Sequence, residues 1–424
     1  MATFWVSGSG NDSWGGGWLC PLRTVHEAVS RAGAWAADHP GQDVQIRLRA
    51  GIFPVNELLT VTFPRLSIRG AGIGKTILLG SGDGQWQIRV NGGHRFGLSH
   101  LTLHTDTEAT DASSLWIEAS DEVFVHHVHV TEIRFWGIVL GTTDACLTGP
   151  VNARARFEDC VFDQSNPDST TEALLVFNTR DVAVTRCTFL GIPCDGIGLG
   201  LFQAVTTARV TTCGFFGTGR GAYYPISGAD LQFTDCEFRT ANGLVGANQS
   251  DNGALGSTHA EGLTVQGCRF TSQNDGKGLQ IGAVHTVLVS SCIFENCIAI
   301  AIVIDRGNDV VPHPGLVFNC PGDTPLPLPT RQIQVLNNIF ENNNPLGTYP
   351  KIHPDILVQL LPPGHPLDLV IAGNTFTSPL ASHYCLTLID EVGEDGTYAN
   401  LQFDPAANTF SLAPGAVIVS GTVL

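Results

Sequence analysis

The sequence predicts an all-β solenoid, a single-stranded right-handed parallel β-helix of about 11–13 rungs with an N-terminal capping α-helix. Three observations predict it: a recurring tripeptide, the strand-like run that precedes each copy, and one amphipathic segment near the start. The tripeptide reads Cys-x-Phe at Cys160/Phe162, Cys187/Phe189, Cys213/Phe215, Cys236/Phe238, Cys268/Phe270 and Cys292/Phe294. It continues as Asn-x-Phe at Asn338/Phe340, Asn374/Phe376 and Asn408/Phe410.

The runs before these motifs, such as Val182-Ala-Val-Thr-Arg-Cys and Leu263-Thr-Val-Gln-Gly-Cys, alternate apolar and polar residues with the period of a strand. Side chains two apart share a face. Rungs spaced like ordinary paired strands would therefore stack the phenylalanines in one column and the cysteines in another. Thiols suit such a column because they are small and apolar. Asparagine suits it because its amide bonds the amides above and below. The twelve cysteines include no Cys-x-x-Cys pair, so they read as packing rather than as a disulfide or zinc framework.

Earlier rungs are less regular. Their strands are expected at Arg65-Leu-Ser-Ile-Arg, Phe96-Gly-Leu-Ser-His-Leu-Thr-Leu and Val123-Phe-Val-His-His-Val-His-Val. His127 and His129 stand there in the Cys and Phe positions, and strict alternation sets His126 on the opposite face, which argues against a shared metal. Residues 24–38 form the cap, with Thr24 and Glu27 as a capping box and Val25, Ala28, Val29, Ala32 and Trp35 on one face. The chain reads as one domain, 1–424: strand and cap over 1–43, regular rungs over 44–304, a proline-rich excursion loop over 305–332, and C-terminal rungs over 333–424.

Bulk properties agree. Charged residues make up only 14% of the chain, while Gly numbers 48 and Pro 23, as many short strands and turns require. A net charge of −17 argues against nucleic acid, and an anionic glycan would need a local basic patch or bridging Ca²⁺. No basic, apolar leader opens the chain and no stretch reaches the roughly 18 apolar residues of a membrane span. A cytoplasmic protein without a membrane partner is the expectation, or a secreted one if a leader was removed. Self-association stays open.

The opening Phe4-Trp-Val-Ser-Gly-Ser-Gly-Asn-Asp, then Arg23-Thr-Val-His-Glu-Ala-Val, Val44-Gln-Ile-Arg-Leu-Arg-Ala-Gly-Ile-Phe and the turn Gly70-Ala-Gly-Ile-Gly-Lys-Thr resemble the start of pectate-lyase-like β-helix proteins. That resemblance implies the fold and leaves the chemistry open among lyases, hydrolases, epimerases, esterases and non-enzymes. The catalytic signatures of pectate lyases, of the hydrolases and of mannuronan epimerases do not carry over. Gly70–Thr76 also approaches a phosphate-binding loop, one residue short and without its βα context, so it reads as a turn.

Aligning the segments that follow each motif on a shared glycine gives a stripe of Trp136, Asp195, Arg220, Asn242 and Lys277, expected to project outward on successive rungs. The candidate catalytic residues are Lys277, Arg220, Asp195 and Asp275. The candidate substrate-binding residues are Trp136, Arg134, Tyr223, Tyr224 and Asn242. Aromatic rings suit sugar faces, carboxylates suit acid–base work, and the cations suit a uronate carboxylate or its enolate. Asp195 and Asp275, read as three rungs and about 14 Å apart, are too distant for the paired carboxylates of a hydrolase. Asp305, Arg306 and Asp309 form a second polar cluster that reads as the start of the loop, and His259 with His285 is a further acid–base pairing. The leading function is a lyase or epimerase acting on an acidic oligosaccharide or polysaccharide. The alternatives are isomerisation or cyclisation of a small molecule, and a non-catalytic glycan-binding or structural solenoid. No cofactor is required by the residues, with Ca²⁺ the one ion the chemistry suggests.

Overall fold

The computed structural model describes residues 1–80, 86–92, 94–105, 113–141, 152–164, 171–191, 196–202, 205–217, 219–224, 229–240, 242–246, 260–272, 277–282, 284–305, 330–345, 354–359, 366–389 and 397–423. The chain is a right-handed parallel β-helix, and among the described residues thirteen strands of one type recur, within the expected number of rungs. Two compact units partition it: Met1–Thr143 with Thr148–Leu199, and Asp144–Leu147 with Gly200–Leu424.

A rung is three strands. In the second unit, Ala260–Gln266, Arg269–Ser272 and Lys277–Gly282 make one rung, and Val284–Ser290, Ile293–Glu295 and Ile300–Asp305 make the next. Each strand pairs in parallel with its counterpart, so Phe270 stands opposite Phe294 and Leu279 opposite Ile302. The first strand turns into the second at one residue in the left-handed region. That residue is His100, His127, Asp159 or Arg186 in the first unit, and Thr212, Asp235, Gly267, Ser291, Asn337 or Gly373 in the second, with φ between 53° and 69°. A non-glycine residue there is disfavoured by about 1–2 kcal/mol, which the ladder bonds on both sides offset. The corner interrupts the period-two alternation, and this has consequences for the histidines below.

Two adjoining columns run through the core beside the buried aliphatic side chains of the first and third strands. The phenylalanine rings stack nearly parallel, with centroids 4.9 Å apart for Phe162–Phe189 in the first unit. In the second unit the spacing is 4.6–5.3 Å from Phe215 through Phe238, Phe270, Phe294, Phe340 and Phe376 to Phe410. The column thiols are buried and reach back to carbonyls of the preceding rung, as Cys187 does to Phe157 at 3.5 Å, Cys268 to Phe233 at 3.5 Å and Cys292 to Val265 at 3.4 Å. The asparagines do the same with Nδ2, Asn338 to Val289 at 3.0 Å and Asn374 to Val335 at 2.8 Å. Their Oδ1 atoms add what a thiol lacks, accepting the backbone N–H of the residue above: Cys292 to Asn338 at 2.9 Å and Asn338 to Asn374 at 2.8 Å. A hydrogen bond to Cys187 together with burial pushes the Cys160 thiol well up, as expected of a packing sulfur.

The cap is the helix α1, Val25–Asp38, which buries Val25, Ala28, Val29 and Ala32, whereas Trp35 stays half-exposed and stacks on His39. Only half of the expected capping box forms. The Glu27 N–H donates to Thr24 Oγ1 at 3.2 Å, but the Glu27 carboxylate pairs with Arg31 at 2.6 Å. Asp12 takes over the reciprocal role: it accepts the N–H of Arg23 at 2.7 Å, and the N–H and hydroxyl of Thr24 each at 2.9 Å. Partial burial opposes ionisation of Asp12, yet these bonds outweigh it and hold the carboxyl below the usual carboxylate range. Asp12→Ala is therefore expected to lower the urea midpoint by the equivalent of about 1–2 kcal/mol at pH 7. Because the folded-state pKa is depressed, the gap between wild type and variant shrinks as pH falls below about 4.

Gly70–Thr76 is the expected turn, fastened by the Ala71 N–H on Thr76 Oγ1 at 2.8 Å and leading into a strand, not a helix. Residues 306–329, most of the proposed excursion loop, lie outside the described residues, and pairing resumes with Arg331–Leu336. No helix among the described residues is long and apolar enough to cross a membrane.

Candidate functional site

The third strands of the first unit include Trp86–Asn91, Ser113–Glu118, Trp136–Leu140 and Glu172–Phe177. Ile88, Val90, Leu115, Ile117, Ile138 and Leu140 fill the interior. On the opposite side of these strands Arg89 stands opposite Trp116. Trp86 faces the small Ser113 in register, and its indole lies 5.3 Å from that of Trp116 and 5.7 Å from that of Trp136, at tilts of 35° and 32°. Phe135 adds a ring 4.4 Å from Trp136. All four rings are half-exposed.

Polar groups set this platform. Arg89 lies 4.5 Å over the Trp116 ring and is held there by Glu118 at 2.8 and 3.0 Å. The Trp116 indole N–H donates to the Gly141 carbonyl at 2.9 Å. Arg134 is largely buried and contacts Glu132 at 3.4 Å. Glu172, 4% exposed, stands opposite Trp136 on the next strand. Of the expected binding residues, Trp136 and Arg134 thus lie here. Trp86, Trp116, Arg89 and Glu172 were missed: the three tryptophans are 30 and 20 residues apart, and only the rung-to-rung register brings them together.

The expected stripe needs correction in one respect. Glu172 occupies the rung after Trp136, so Trp136 and the segment of Asp195 are not consecutive; the strand Glu172–Phe177 opens Glu-Ala and lacks the glycine that marked its neighbours. Asp195 and Asp275 lie outside the described residues. In the second unit Arg220 stands opposite Asn242, Tyr223 opposite Val245 and Tyr224 opposite Gly246. Leu244 pairs with Leu279, which carries the same register on to Lys277.

Lys277 is half-buried and opposite Ile300. Its Nζ reaches Gln280 Oε1 at 3.4 Å, and Gln280 Nε2 donates to Asp305 Oδ2 at 2.7 Å. Gln280 and Asp305 are 5% and 3% exposed. Asp305, expected to begin the loop, is instead the buried last residue of its strand, and its carbonyl accepts the Thr330 hydroxyl at 2.6 Å. Arg306, Asp309 and His259 lie outside the described residues, and His285 is buried opposite Arg331.

Two other side-chain groups place three metal-ligating atoms within 4.8 Å of one another: His100 with His126 and His127, and the buried Asp355 with His383 and Cys385. Neither is the all-oxygen set that Ca²⁺ prefers. The expected placement of the histidines is overturned. Val128 and Val130, not His127 and His129, occupy the core positions, as the pairing of His129 with Val161 and Val130 with Phe162 shows. The left-handed corner at His127 resets the alternation, so His126 and His127 are adjacent on the outside, between the buried Val125 and Val128. A groove of about 520 Å³ elsewhere in the first unit is lined by arginines, but Arg65 is paired with Asp43, and Arg95 and Arg154 with Glu122.

Fold and site together define a parallel β-helix that carries an aromatic and charged face on the outer side of one sheet. Residues 172–344 match the family model of the right-handed β-helix region. No curated protein matches the chain in sequence. Among solved structures, a mutant tailspike protein of E. coli bacteriophage HK620 in complex with a hexasaccharide is 12% identical, over 95% of this chain and 78% of that chain, with a TM-score of 0.56. Tailspike protein 3 of bacteriophage CBA120 is 14% identical, over 99% of this chain but only 62% of that longer chain, at 0.48. The A-module of a mannuronan C-5 epimerase from Azotobacter vinelandii is 11% identical, over 93% and 92%, at 0.44. At these identities the likeness is one of fold, and the resemblance to pectate-lyase-like β-helix proteins holds at that level.

Proposed function

We propose that this is a carbohydrate-acting β-helix protein whose saccharide binds on the outer face of the first unit. The observation that carries the reading is the cluster of Trp86, Trp116 and Trp136 beside Arg89, Glu118 and Arg134. Indole faces suit the apolar faces of sugar rings, while the charged rim offers donors and acceptors to hydroxyl or carboxylate groups. The hexasaccharide complex of the HK620 tailspike supports the substrate class by analogy of fold.

Titrating the protein with a panel of neutral and uronate-containing oligosaccharides while following tryptophan fluorescence tests it. Saturable binding is expected for at least one glycan, and Trp116→Ala or Trp136→Ala is expected to weaken it about tenfold or more. Absence of saturable binding across the panel, or affinities untouched by both substitutions, would remove the proposal.

A second reading, a lyase or epimerase on an acidic glycan, is favoured by the chain Lys277–Gln280–Asp305 in the second unit. Lysine occurs only at 75, 277 and 351, and here one is steered by a buried glutamine and aspartate. In this reading the Lys277 ammonium neutralises a uronate carboxylate, or its free amine accepts the C5 proton, with Arg220 and Asn242 on the preceding strands. An absorbance assay for unsaturated uronates, with Lys277→Ala silent, would separate elimination from binding alone.

A further inference from the structure

We propose that His100, His126 and His127 form a binding site for a divalent transition-metal ion, separate from the saccharide platform. The three side chains come from two successive rungs of the first unit. His100 and His127 are the left-handed corner residues of their rungs, with φ of 58° and 53°, and their imidazoles stack at 4.8 Å and 8°. His126 precedes the second corner, and its ring meets both others edge-on, at 5.1 and 5.3 Å. The fold places them so by necessity: a corner residue leaves the alternation, and the residue before it already points outward.

The nitrogen geometry suits an ion. The donor atoms all lie within 4.8 Å of one another, and His126 Nδ1 is 3.1 Å from His127 Nδ1. Tetrahedral zinc, with each nitrogen at 2.0–2.1 Å, sets donor nitrogens about 3.4 Å apart, so rotation of the rings by about an ångström closes the set. His100 Nδ1 is buried and makes no hydrogen bond, so this imidazole keeps a ring nitrogen that no protein group satisfies. Imidazole is a borderline ligand that accepts zinc, copper or nickel and is a poor match for Ca²⁺. Glu158 and Asp159 on the following rung offer negative charge near His126, while Arg69 opposes it. Asp159 lies 4.0 Å from His127 Nε2, beyond hydrogen-bond reach, and is held by Arg186 at 2.7 Å, which leaves the fourth position to water or a ligand.

The test uses the full chain in a Cys20→Ser background, because Cys20 is the one exposed thiol among the described cysteines. Zn²⁺ is titrated calorimetrically, and Co²⁺ is followed by its visible absorption. One equivalent is expected, with tetrahedral or five-coordinate cobalt bands. His126→Ala and His127→Asn are expected to weaken binding at least tenfold and remove those bands, and His39→Asn to leave both unchanged. Asparagine tolerates the left-handed corner, so His127→Asn keeps the fold, which circular dichroism checks. Lack of one-to-one binding, or binding equally tight in both site variants, would overturn the proposal.

Discussion

Phe294→Ala is expected to destabilise the protein by about 3–5 kcal/mol, measured as a fall in the guanidinium midpoint. Its ring is fully buried and sandwiched between Phe270 at 4.8 Å and Phe340 at 5.1 Å, so removal opens a cavity with stacked partners on both sides. A solenoid transmits stability through nearest-neighbour contacts, and a defect in mid-column interrupts two of them. Phe410→Ala is the internal comparison. Phe410 touches one column partner, Phe376 at 5.3 Å, and is only half-buried, so its loss is expected to cost less than half as much. Equal losses at the two positions would mean that the column is not the unit of stabilisation.

The second large effect is expected at Asn374. Its Oδ1 accepts both the backbone N–H and the side-chain amide of Asn338, at 2.8 and 3.0 Å, and its Nδ2 donates to the Val335 carbonyl at 2.8 Å. Leucine has the same branched skeleton of heavy atoms and none of these bonds. Asn374→Leu strands a buried N–H and a buried carbonyl, at about 1–3 kcal/mol each, and a total loss of about 3 kcal/mol is expected. Asn374→Cys should fall between leucine and wild type. The thiol can donate to the Val335 carbonyl, as Cys292 does to Val265, but it cannot accept the Asn338 N–H as the amide oxygen does. If cysteine proves as damaging as leucine, donation to the preceding rung is not what unites the Cys and Asn positions.

Much of the molecule was legible before any coordinates. The Cys-x-Phe and Asn-x-Phe copies marked the second strand of each rung, and pairing confirms them in register, Phe238 opposite Phe270 and Phe340 opposite Phe376. The cap was legible as well, down to Thr24 as its N-terminal residue. Less legible was the first unit, where valine and leucine replace the motif: Val128-x-Val130 and Leu101-x-Leu103 continue the columns without a distinctive residue type. The alignment on glycine located Arg220, Asn242 and Lys277 at equivalent positions but passed over Glu172, because connections of unequal length hide which segment belongs to which rung.

The sequence by itself determined the coil, because columns of identical side chains need only a repeating pattern, and a pattern is what a sequence carries. Tertiary structure alone decided which polar and aromatic groups meet. Trp86, Trp116 and Trp136 converge from separate rungs, and Lys277 meets Asp305 through Gln280 across two strands. The histidines show the reason most plainly. Period-two reasoning holds only between corners, and a single left-handed residue, here a histidine rather than a glycine, shifts every following side chain to the other face.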